Sequence, residues 1–376
     1  MAIDRTDRED VSEAAPPGRR GLSTAWRATR IIGALYLFVG AIQLMNTGAG
    51  DLDISTQGGF LVANAGSTLG LGWIGAMLTL SGTPPAAAAL TLTAAGNISE
   101  VQGFTMVTGA RLGAAFVVLL VASLYASRSG AGKRLKTVST AVLALAITAI
   151  IYVPGAVIGL LLLESEPFHR VQIGAPPAFS SVVDILYEWA LTLVENWAAG
   201  ALFAVGFGLL IFSFRVIDAA MPEVNEDRFR GERLTWLRRK WPMFFLGIVV
   251  VILTLSVSVA LTVLVPLVAK GYVKREHLIP YIVGADLGTL VDKLLVAFIA
   301  GLGAAHPHSP VRIILAELVG TGLMGLIIMS LLYMPFRRGV WKFQRQMTKS
   351  KPRLAAFTAA LFVVPLLIIG VSGLIG

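Results

Sequence analysis

Apolar runs separated by short polar stretches recur along the whole chain, and their lengths set the elements they predict. Residues 29–46, 101–126, 137–163, 198–217, 278–302, 310–335 and 353–375 each read as a helix able to cross a hydrocarbon core. Two further apolar stretches, 67–96 and 243–270, read differently. The first is interrupted by Ser81-Gly82-Thr83-Pro84-Pro85, which leaves two arms of about 12 to 14 residues, each too short to span. That pattern predicts a re-entrant hairpin. Ser81 or Thr83 is placed to cap the arm beginning at Pro84-Pro85, because proline is tolerated where the first helical amides lack an acceptor. The second hairpin keeps tip hydroxyls in Ser256-Val257-Ser258 but has no prolines there. Residues 179–197 put Asp184, Glu188 and Glu195 on one helical face and Trp189 and Trp197 on the apolar side, which predicts an outer interfacial helix.

The apolar pattern repeats. Shifting the sequence by 175 positions sets Leu71-Gly72 on Leu246-Gly247 and Leu78–Ser81 on Leu253–Ser256 without a gap. It also sets Gly109-Ala110-Arg111-Leu112-Gly113 on Gly284-Ala285-Asp286-Leu287-Gly288, and Leu119–Ala122 on Leu294–Ala297. Over residues 71–122 roughly a third of positions are identical, against about a tenth expected from so apolar a composition. Gly33 on Gly208 extends the match to the first apolar run. Each copy holds three crossings and one hairpin, so the second copy enters the membrane inverted.

Charge tests that topology independently. With the N-terminus inside, the inner segments hold Arg19, Arg20, Arg27 and Arg30, then Arg128, Lys133, Arg134 and Lys136. Further on they hold the Arg215–Lys240 cluster, Lys270, Lys274, Arg275 and the Arg337–Arg353 cluster. The outer segments 47–66, 164–180 and 303–309 are nearly devoid of basic residues, Arg170 excepted. Positive charge therefore alternates as a cell-membrane protein with a cytoplasmic N-terminus requires. The expected organisation is a disordered tail at 1–28, a first transmembrane repeat at 29–165 and an outer loop with interfacial helix at 166–197. A second, inverted repeat follows at 198–340, and a C-terminal span lies within 341–376.

Composition narrows the class. The chain is 56% hydrophobic and 14% charged, too little polar surface for a soluble domain of 376 residues. Its net charge of +9 sits in short loops between apolar runs, which suits anionic headgroups and not nucleic acid. The absence of cysteine excludes disulfides and thiolate metal sites. No P-loop, H-E-x-x-H or nucleophile-elbow string is present, so nothing points to an enzyme or a bound cofactor.

Helices broken at matching places in two repeats are the sequence signature of a transporter binding site, since a helix end in a bilayer leaves amides or carbonyls in need of a partner. The alternative is that serine and glycine only let helices pack closely. The candidate substrate- or ion-binding residues are Ser81, Gly82, Thr83, Gly109, Arg111 and Gly113 in the first copy. In the second they are Ser256, Ser258, Gly284, Asp286, Gly288 and Thr289. Arg111 and Asp286 occupy one position of the repeat with opposite charge. A charge at membrane depth is costly unless paired or functional. Two readings stand: a buried ion pair that locks the halves, or an Arg111 that touches an anion beside an Asp286 that binds sodium or a proton. Asp292 and Glu317 are further ion or proton-relay candidates, and Asp286 is the one candidate metal site, for sodium.

Each half resembles the repeat of sodium–phosphate cotransporters, the type II family and its bacterial relatives. That repeat pairs a QSSS tip with a downstream GANIGT motif. Here the strings are L-S-G-T at 80–83 with G-A-R-L-G at 109–113, and L-S-V-S at 255–258 with G-A-D-L-G-T at 284–289. Val265-Pro266-Leu267 and Ile279-Pro280-Tyr281-Ile282 are also similar. The resemblance covers residues 30–335 and implies a fold of inverted repeats; with the crossings counted above, the expected fold is an all-α polytopic membrane protein of two inverted repeats, each with three spans and a re-entrant hairpin, plus one extra C-terminal span. It further implies tip hydroxyls that hold phosphate and sodium. The family's tip glutamines stand as Leu80 and Leu255 here, and its motif asparagines as Arg111 and Asp286. Three functions fit: an ion-coupled transporter of a small inorganic anion, foremost phosphate, working by alternating access with sodium or a proton as coupling ion; a transporter of another anion; or a non-transporting scaffold or regulator of the same fold.

Overall fold

A computed structural model describes residues 17–52, 59–127, 131–220, 239–254, 260 and 277–375, and among these every regular element is helical. In chain order the helices are α1 (Pro17–Gly50), α2 (Ala65–Thr79), α3 (Thr83–Ala94), α4 (Glu100–Ser127), α5 (Ala131–Leu163), the single turn α6 (Glu166–His169) and α7 (Pro177–Leu193). They continue as α8 (Ala199–Ala220), α9 (Lys240–Thr254), α10 (Leu278–Ala300), α11 (Ser309–Ser330), α12 (Tyr333–Thr348) and α13 (Lys351–Ile375). The expected tip residues Ser256 and Ser258 and the rest of the expected second hairpin, 243–270, lie outside the described residues, apart from Ala260 and the residues of α9.

Among the described residues, six helices are long and apolar enough to cross a membrane: Ala28–Gly50, Glu100–Leu124, Val138–Leu163, Ala199–Ile217, Ser309–Ser330 and Lys351–Leu374. The seventh expected span, α10, has the length, at 23 residues, but departs in composition because Asp286, Asp292 and Lys293 lie within it. All three are buried against neighbouring helices, so the charge that weakens its apolar pattern faces protein.

Three expectations change. Helix α1 begins at Pro17, so residues 17–28, expected as tail, are helical; proline at a first helical position starts a helix as readily as it punctuates a loop. Residues 333–335, expected as the end of a span, and the basic inner segment that follows form the amphipathic helix α12. Phe336 and Val340 of α12 face inward, and Arg338, Lys342, Arg345 and Lys349, just past its end, are exposed. The third change concerns the break between α2 and α3. Helix α2 has 15 residues and α3 has 12, each short of a span, and α2 ends at Leu80 in the left-handed region (φ 55°). The expected cap by Ser81 or Thr83 is absent: Gly82 is the N-cap and no side chain caps it. The prolines explain this. With Gly82 as cap, Pro84 and Pro85 fall at the two positions whose amides a capping side chain would serve, and neither has an N–H.

Helix α3 is the centre of the molecule. All twelve of its residues are buried, and it packs on α1, α2, α4, α8, α10 and α11. Four consecutive alanines, Ala86–Ala89, make that crowding possible by keeping the helix thin.

The helix pairs α2/α4 and α9/α10 use the same contacts. A Cβ on Gly72 would strike the Met106 carbonyl and the Ala110 amide, and one on Gly247 would strike the Tyr281 carbonyl and the Ala285 amide. Gly109 and Gly284 meet the carbonyls of Leu69 and Phe244 in the same way, and Gly113 and Gly288 those of Trp73 and Ile248. Every member of these sets is 175 positions from its counterpart. In addition α1 packs along α8 and α5 along α11, each on the helix that the 175-residue offset sets against it.

Candidate functional site

Three helices bring polar groups to one buried point because each carries them at helical spacing. On α4, Thr108 and Arg111 are three residues apart and share a face. Thr148 and Tyr152 do so on α5, and Asp286, Thr289 and Lys293 on α10. Arg111 is 2% exposed and Asp286 0% exposed, and they form an ion pair through Arg111 Nη2 and Asp286 Oδ1. The second carboxylate oxygen of Asp286 accepts a 2.9 Å bond from the Thr148 hydroxyl. Its backbone carbonyl accepts from Tyr152 at 2.8 Å and from Thr289 at 2.7 Å. The Arg111 guanidinium also lies over the Tyr152 ring, 5.2 Å from its centroid. Asp286 is thus held on both oxygens and at its main chain.

The broken helix reaches the same cluster. Thr83, at the start of α3, donates a 2.8 Å bond to Asp292 Oδ2, and Lys293 Nζ stands 3.7 Å from the other oxygen of that carboxylate. Lys293 also donates to the Thr289 carbonyl at 3.1 Å. Gly82 lies against Ala110 and Ala114 of α4, one residue before and three residues after Arg111. Ser81 is half-buried; its amide donates to the Ala76 carbonyl and its carbonyl accepts from Thr79.

Glu317 on α11 is 0% exposed, and neither of its carboxylate oxygens has a hydrogen-bond partner among the described residues. The Thr108 hydroxyl and Arg111 Nε are unpartnered too. A cavity of about 110 Å³, lined by Trp73, Leu112, Thr148, Phe343 and Phe357 among others, reaches the cluster from the side of α12 and α13.

The structure therefore gathers Thr83, Arg111, Asp286, Thr289 and Asp292 into one network, with Gly82 and Glu317 beside it. Gly109, Gly113, Gly284 and Gly288 belong to the helix seams, their bare faces turned to α2 and α9. Thr148, Tyr152 and Lys293 complete the network without having been singled out as binding residues. Sequence offers one signal for the first two: a threonine and a tyrosine four apart inside an otherwise apolar span.

Residues 209–375 match the model of the family described as Na+/Pi-cotransporter. No curated protein and no solved structure matches the chain.

Proposed function

We propose that this chain is a member of the sodium–phosphate cotransporter family and carries phosphate across the cell membrane by alternating access, coupled to a cation, with the Arg111–Asp286 pair at its substrate site. One observation carries the proposal: opposite charges at the same position of the two copies meet in a buried ion pair beside the tip of a broken helix. Arg111 is the group suited to phosphate, since a guanidinium matches two phosphate oxygens at once. Asp286 holds that guanidinium until a cation takes its place.

The proposed architecture is two inverted repeats, each with a re-entrant hairpin, α2 and α3 forming the first and α9 one arm of the second. Seams repeated at the 175-residue offset favour it, as does the packing of α1 and α5 on their counterparts. In such a fold the two halves exchange conformations around a fixed site. The N-terminus lies in the cytoplasm in this scheme, consistent with the distribution of basic loops.

Uptake of labelled phosphate into proteoliposomes under a sodium or a proton gradient tests the proposal. The wild type accumulates phosphate, and Arg111→Met does not. No uptake by well-folded protein, for phosphate or a substitute oxyanion, would leave the non-transporting scaffold, a reading that the leucines at the tip-glutamine positions favour.

A further inference from the structure

The buried cluster does not balance its charge. Arg111 and Lys293 supply two positive charges, while Asp286, Asp292 and Glu317 supply three carboxylates, and none of the five residues exceeds 8% exposure. Both cations are committed: Arg111 to Asp286, and Lys293 to Asp292 and the Thr289 carbonyl. The carboxyl left over is Glu317, whose two oxygens have no partner among the described residues. A bare carboxylate in that position would carry the desolvation penalty of a buried charge with no cation of its own to offset it.

From the unpartnered, fully buried carboxyl of Glu317 and the surplus negative charge around it, we infer that Glu317 holds one exchangeable proton, which travels with the anion. The inference rests on the proposed transport function and specifies its coupling ion. Every element packed against Glu317 agrees with it. Helix α4 presents Arg111, already paired, and the Thr108 hydroxyl, unpartnered and within interaction range of the carboxyl. Helix α10 presents Lys293 and Asp292, paired with each other, and α5 presents Tyr152, bonded to the Asp286 carbonyl. Helix α3 carries no titratable residue, and on α12 the basic Arg338, Lys342 and Arg345 point to the exterior. No neighbouring cation is left to neutralise a bare Glu317 carboxylate.

A proton resolves both defects at once. It neutralises the cluster, and the new O–H has an acceptor in the Thr108 hydroxyl. When the site opens, the O–H bond breaks, the proton leaves to water and the carboxylate keeps the electron pair. An anion bound at Arg111 adds negative charge to a cluster already one short of neutrality, so proton and anion are taken up together and released together.

The test is phosphate uptake into sodium-free proteoliposomes with an alkaline interior, for wild type and Glu317→Gln, which mimics the protonated state permanently. Wild-type accumulation rises about tenfold per pH unit of gradient for one proton per cycle. Glu317→Gln binds phosphate but loses that dependence. Infrared difference spectra of the wild type at neutral pH show a protonated carboxyl band that is missing in Glu317→Gln. Should the variant fail to fold, the wild-type gradient dependence decides alone. Uptake driven by sodium and indifferent to the pH gradient overturns the inference, as does a spectrum without the carboxyl band. If no gradient moves phosphate, it is the transport function that fails, and the infrared band still decides the proton site.

Discussion

Gly109 and Gly284 occupy one position of two helix seams: each turns a bare α-carbon to a carbonyl, of Leu69 and of Phe244, that a side chain would displace. Alanine at either position therefore forces the helices apart. Each substitution is expected to cost about 1–3 kcal/mol, as overpacking does elsewhere. Gly208→Ala is the control. A Cβ there meets nothing within 4 Å, so the change is neutral or mildly stabilising through helix propensity. Thermal unfolding in detergent measures all three, and equal losses at 109 and 284 are the specific expectation.

Removing one member of the central ion pair strands the other. Arg111→Met or Asp286→Leu alone is expected to destabilise by about 3–5 kcal/mol, whereas the double variant loses much less because no charge is left unpaired. A double-mutant cycle on unfolding free energies reads the difference. Additive losses would mean that the two side chains do not meet.

Thr148 and Tyr152 anchor Asp286 from α5. Thr148→Val removes a hydrogen bond to a charged oxygen and is expected to cost about 1.5–3 kcal/mol. Tyr152→Phe removes a bond to a backbone carbonyl, at about 0.5–1.5 kcal/mol. In phosphate-binding assays Thr148→Val has the larger effect, because it alone bonds the side chain of Asp286.

The Thr83–Asp292 hydrogen bond fastens the broken helix to α10. Since the chain has no cysteine, Leu80→Cys places a single thiol at the break. Adding Thr83→Val is expected to speed labelling of that thiol roughly tenfold or more, the opening that follows from losing a bond to a carboxylate. An unchanged rate would show that the break moves independently of α10.

Much of this fold is legible in the chain because lipid leaves few options. Apolar length marks the six spans, and a constant offset with identical glycines marks the seams. The meeting of Arg111 and Asp286 is legible for the same reason, since both stand where the repeat has one position. Tyr152 and Thr148 are not. A tyrosine or threonine in a membrane helix has many ordinary partners, including its own backbone, and only the position of α10 singles out Asp286. The amphipathic α12 was obscured by its charge, which reads as loop until Phe336 and Val340 are seen to fall on one face. The missing cap at Thr83 follows from its own neighbours, because two prolines withdraw the amides that a cap exists to satisfy.

The start of α2 depends on a part of the chain made much later. Asn64 caps α2 and also donates to the Ser372 carbonyl, 308 positions on, while Gly66 and Gly70 press against Ser372, Ile369 and the Pro365 carbonyl. During synthesis at roughly 5–20 residues per second, that glycine strip waits many seconds for α13 to arrive. Until then the nascent protein carries an unfinished groove into the membrane. A ribosome stalled before α13 would therefore hold a first half with every helix present and one face still open, the form on which a membrane chaperone or a protease has the most time to act.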